Sequence, residues 1–163
     1  MENISLKQWI VAGTLSGAII GIIIFLIITF ISSGVPFLDP IFIWDVFFSS
    51  VFLGLIIGMI LFLVYNKLPV KRSLSKCLLI SIVSMMLITI LSFYFYAFHF
   101  ELLKNFWIAR LIPFFAIGEI YLLIGYFSES FGNFAYLPFI LIGVAFGFLI
   151  NYFINRMERK ASE

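Results

Sequence analysis

The feature that most constrains this chain is a set of charge-free apolar stretches. Each is long enough to cross about 30 Å of hydrocarbon, for which roughly 18 or more helical residues suffice. Four are uninterrupted by charge: Gln8 to Ile31, Val46 to Asn66, Cys77 to Phe98 and Phe134 to Asn155. A fifth, Phe106 to Phe127, has similar length but carries Arg110, Pro113 and Glu119. The expected fold is therefore an all-α integral membrane protein, a compact bundle of five hydrophobic helical segments. Four are transmembrane spans, and segment 106–127 is tilted, re-entrant or spanning.

Composition points the same way. Apolar residues make up 64% of the 163 and charged ones 11%, more apolar surface than a soluble core absorbs and the reverse of a disordered chain. Length and the short connections predict one transmembrane helical domain over 1–163, with no soluble domain. The first stretch is read as a retained helix, because its apolar run exceeds the roughly 7 to 15 residues of a secretory signal and no A-x-A-like site closes it. The net charge of +2 is small, and the basic residues sit at segment ends rather than on an aromatic-interleaved patch, so nucleic acid is not an expected partner. Cys77 is the only cysteine, which rules out an intrachain disulfide, a CxxC pair or a thiolate metal site.

Lys and Arg near helix ends stay on the cytoplasmic side, which makes their distribution a test of topology. If all five segments cross, five basic residues lie inside and five outside. If 106–127 makes no full crossing, Lys7, Lys67, Lys71, Arg72, Lys76, Arg156, Arg159 and Lys160 share one side, against Lys104 and Arg110. The second arrangement obeys the rule and predicts a cell-membrane, multi-pass protein with both termini in the cytoplasm. A weak internal repeat agrees. VFLGLIIGMILFLVYNK, Val51 to Lys67, aligns without gaps on ILIGVAFGFLINYFINR, Ile140 to Arg156, matching two glycines, an Asn and the final basic residue.

Small residues recur at four-residue spacing: Gly13, Gly17 and Gly21 in the first stretch, Gly54 and Gly58 in the second, Gly143 and Gly147 in the last. Such stripes let helix backbones approach closely, which matters in lipid, where apolar side chains gain little from burial alone. Three stripes in one small chain favour packing within a bundle over a dimer face.

Ionisable groups at membrane depth are costly unless paired or hydrated, so Asp45, His99, Arg110 and Glu119, with Tyr121, form a candidate intramembrane polar site. The structural alternative, which is favoured, is an Asp45 to Arg110 ion pair that merely pins two helices, with Glu101 and Lys104 as interfacial snorkelling residues. On an unbroken helix Arg110 and Glu119 face opposite ways with a rise of about 13 Å between them. Glu119 is thus protonated, or faces water or a cation. Pro113 frees the carbonyl of Ala109. Trp9, Trp44, Trp107 and the run FYFYAFHF from Phe93 to Phe100 fit interfacial belts.

Catalytic templates find little purchase. His99 is the only histidine, which excludes a bis-histidine haem or a multi-histidine metal site within one chain. GxSxG, phosphate-loop, dinucleotide and HExxH patterns are absent. No catalytic, cofactor-binding or metal residues are assigned. Two function classes remain. The first is an accessory, assembly or interaction subunit, with the bilayer, other membrane proteins or another copy as partners. The second is a small transporter or ion- or proton-conducting unit using Glu119 and the outer polar residues.

Overall fold

The computed structural model describes residues 4–31, 40–67, 72–103 and 137–162. These form four helices: α1 Leu6–Ile31, α2 Pro40–Lys67, α3 Leu74–Leu103 and α4 Leu137–Ser162. Each is long and apolar enough to cross a membrane. The described residues are helical throughout apart from the short leads into α1 and α3. Segment 106–127, with Arg110, Glu119 and Tyr121, lies outside them.

The helices run past the charge-free stretches. α4 continues through Arg156, Glu158, Arg159 and Lys160, and α3 passes His99 and Glu101. Absence of charge marks what hydrocarbon tolerates, whereas a helix stops where its backbone pattern ends.

Local chemistry explains the starts. Ser5 caps α1: its Oγ accepts the Gln8 amide at 3.4 Å, and Gln8 Oε1 accepts the Ser5 amide at 2.8 Å, the reciprocal pattern of a capping box. Ser73 caps α3, its Oγ accepting the Lys76 amide at 3.4 Å. α2 instead begins with Pro40, and α4 has Pro138 as its second residue, first-turn positions where a missing N–H does no harm.

The helices associate as two antiparallel pairs. α1 packs chiefly on α2 and α3 on α4, contact between α1 and α4 joins the pairs, and α2 and α3 touch less. Glycine sets the first seam. A Cβ on Gly13 or Gly54 would strike the other's carbonyl oxygen, and one on Gly17 would strike that of Ser50. One on Gly58 would come within 2.6 Å of the Trp9 carbonyl oxygen. In the second pair, Gly143 and Gly147 lie against α3, each with a Cβ position 2.8 Å from the Cα of Ile82 or Leu78. The aligned glycines Gly54/Gly143 and Gly58/Gly147 thus have the same job, each pair resting on the preceding helix.

Antiparallel pairing brings four helix ends together. α1 and α3 start, and α2 and α4 finish, at one end, called the base below. Trp9 stacks on Tyr65, and Tyr65 contacts Cys77 there. The opposite end holds the last turns of α1 and α3 and the first turns of α2 and α4. The chain therefore leaves α3 and enters α4 at that same end.

The core runs along both seams, with Trp9, Ile57, Leu61, Phe146, Ile150 and Ile154 at most 2% exposed. Small polar residues join them: Ser16, Ser49, Ser50, Ser81, Ser84 and Thr89 are all buried. Ser16 Oγ donates to the Ala12 carbonyl at 2.7 Å, the local satisfaction usual for hydroxyls inside helices. The outward faces are as apolar as the core. Leu26, Phe48, Leu79, Leu91 and Leu141 are each 58–64% exposed, a surface suited to hydrocarbon rather than water.

Candidate functional site

The densest polar arrangement among the described residues lies at the base. Arg72, in the lead into α3, reaches the last turns of α4. Its Nη1 donates to Glu158 Oε1 at 3.1 Å, and its Nη2 donates to Asn155 Oδ1 at 2.6 Å and to Glu158 Oε2. This is a two-pronged guanidinium–carboxylate contact, in which planar geometry adds specificity to charge. Arg72 is 17% and Glu158 36% exposed in the side chain, so the pair sits at the rim rather than in the core.

A softer cluster lies just inside this rim. Tyr65, near the end of α2, stacks on Trp9 with ring centroids 5.7 Å apart and planes 15° from parallel. Its hydroxyl lies 3.4 Å from Cys77 Sγ, and that thiol makes a long contact, 3.8 Å, with Asn151 Oδ1. Trp9 and Cys77 are structural counterparts. Each is the fourth residue after a capping serine, which accepts its amide, and each is buried. Tyr65 receives both and so links α1, α2 and α3, while Asn151 extends the chain of contacts to α4. Trp9 was expected among interfacial aromatics. At 2% exposure it faces inward, because the α1 face that carries Gly13 and Gly17 also carries Trp9 at helical spacing.

What this arrangement does is hold helix ends in register. Each buried hydrogen bond contributes about 1 kcal/mol net, and more where one partner is charged. In an apolar medium an unmade bond is worse than in water, so a polar cluster with several partners favours one packing over others. Two interior hydroxyls on α3, Ser81 Oγ and Thr89 Oγ1, have no hydrogen-bond partner among the described residues. Ser81 lies beneath Gly143, its carbonyl 3.3 Å from that glycine's Cβ position, where its small side chain permits the approach.

The polar residues singled out from sequence stand elsewhere. Asp45 is in the second turn of α2 and His99 near the end of α3, both toward the end opposite the base. For these two only the backbone is described. Arg110, Glu119 and Tyr121 lie outside the described residues. Sequence reading missed the base network, whose members are 12 to 86 residues apart. One clue was present: the repeat alignment carries Asn66 and Lys67 onto Asn155 and Arg156, marking both helix ends as one polar level.

The chain matches no family model, no curated protein and no solved structure in comparisons with each.

Proposed function

We propose that this chain is a multi-pass cell-membrane protein that acts by packing against other membrane components, as an accessory or assembly subunit, rather than by chemistry or conduction. The observation that supports this most is the seam between α1 and α2. Gly13 and Gly54 bring the two backbones into contact with no room for a Cβ. A seam closed backbone to backbone leaves no water-filled path along it, while the outward faces remain apolar and open to lipid or to other helices.

In this reading the base faces the cytoplasm. All seven Lys and Arg among the described residues lie at the base and none at the opposite end, the asymmetry that the positive-inside rule assigns to the cytoplasmic side. With α1 starting and α4 finishing at the base, this reading puts both termini in the cytoplasm, and it is supported by α3 ending and α4 beginning at the opposite end.

The second reading is ion or proton movement through Glu119, favoured by a carboxyl within an apolar stretch that also contains Pro113. Flux measurement in proteoliposomes separates the two. The packing role predicts proton and cation flux equal to that of empty liposomes for both wild type and Glu119→Gln. Flux by wild type that is lost in Glu119→Gln would establish conduction instead, because Gln keeps size and hydrogen bonding but removes the titrating proton.

A further inference from the structure

The basic residues at the base are not scattered over it. On every helix one stands on the outward face, a single turn beyond an exposed apolar or aromatic residue. Lys7 follows Val11 toward the base on α1, Lys67 follows Leu63 on α2, Lys76 follows Leu79 on α3, and Arg156 follows Tyr152 on α4. Each pair is three or four residues apart, hence on one helical face. All four basic residues are exposed, and the apolar members are 39–63% exposed. Arg72 is different, turned inward onto Glu158.

We propose that these four residues form a collar that binds the phosphates of anionic lipids in the leaflet at the base. The inference rests on the membrane reading above but not on the assembly role. On α4 the outward face changes from Leu141 and Phe148 to Tyr152 and then Arg156, the order in which hydrocarbon gives way to interface and headgroup. Helix electrostatics point to an external anion as well. Lys67, Arg159 and Lys160 lie in C-terminal turns, where the helix dipole favours cations, but Lys7 and Lys76 lie in first turns without acidic residues, where it opposes them. Neither lysine occupies a position that the helix dipole favours. A layer of lipid phosphates against the base suits basic residues on all four outward faces and the N-terminal dipoles together.

The test is reconstitution of the full chain into vesicles of equimolar phosphatidylcholine and phosphatidylglycerol, with lipid contact read by spin-labelled lipids of each type. Wild type is expected to favour phosphatidylglycerol roughly fivefold or more, as about one well-placed basic residue per bound lipid provides. The preference should shrink with added salt. The triple variant Lys7→Gln/Lys67→Gln/Arg156→Gln should lose most of it while remaining folded, since these side chains are exposed. Equal contact with both lipids would overturn the proposal, and so would a preference unchanged in the triple variant. Displacement of phosphatidylglycerol by millimolar inorganic phosphate would also overturn it, by revealing a site for a free anion. Failure to enter the vesicles would remove the membrane reading and the collar with it, whereas insertion without lipid preference would remove the collar alone.

Discussion

Arg72 and Glu158, 86 residues apart, meet in a two-pronged ion pair that fastens the start of α3 to the last turns of α4. Asn155 shares the same guanidinium, so the contact fixes rotation of α4 as well as its height. A flexible point charge would not do this.

Because the pair is partly exposed, its worth is below that of a buried one. Arg72→Ala is expected to lower stability by about 1–2 kcal/mol, read by unfolding in mixed detergent micelles, with Arg72→Lys recovering only part of the loss. A double-mutant cycle with Glu158→Ala should show coupling above about 0.5 kcal/mol. Strict additivity would mean that the two side chains do not interact in the folded protein.

The glycines should not be equivalent. Alanine at Gly54 or Gly17 would meet a carbonyl oxygen on the neighbouring helix, and backbone cannot move aside without separating the helices. At Gly21 the nearest atoms are Phe47 Cδ2 and Ser50 Cβ at 3.2 Å and Phe47 Cα at 3.3 Å, so a methyl group there asks its neighbours to give by only a few tenths of an ångström. Gly54→Ala and Gly17→Ala are therefore expected to destabilise by about 2–3 kcal/mol, Gly147→Ala by less, and Gly21→Ala by under about 1 kcal/mol. Equal effects at Gly54 and Gly21 would contradict the seam described here.

Cys77 offers a direct probe of the base. It is fully buried between Tyr65 and Asn151, so a permeant maleimide should label it only when the base opens. Labelling of the native protein should be slow, rise with the denaturant that separates the helices, and accelerate in Gly54→Ala. Rapid labelling of the native protein at the rate of a free thiol would place Cys77 on the surface.

The four long helices were legible in the sequence because hydrocarbon imposes a length and forbids charge, and both requirements leave a mark on each stretch separately. Glycine spacing was legible for the same reason. The polar base was not, because its contacts join residues distant in the chain, and an Arg, Asn or Glu at a helix end looks the same alone as it does paired. Trp9 reads as an ordinary interfacial aromatic, and Tyr65 carries no signal of its own, until the antiparallel pairing turns the two toward one another. The helix ends also exceeded the apolar stretches, since Arg156 to Lys160 are good helix formers that continue α4 beyond the point where charge begins.

The account depends most on both termini and the connection from Lys67 to Arg72 sharing the cytoplasmic side. The most direct measurement fuses, to the C-terminus of the full chain, a reporter pair in which one partner is active only in the cytoplasm and the other only outside. The expected result is cytoplasmic activity for the C-terminal fusion, matching a fusion at the N-terminus. A C-terminal reporter active outside, with the N-terminal one inside, would contradict the arrangement and require segment 106–127 to cross in full.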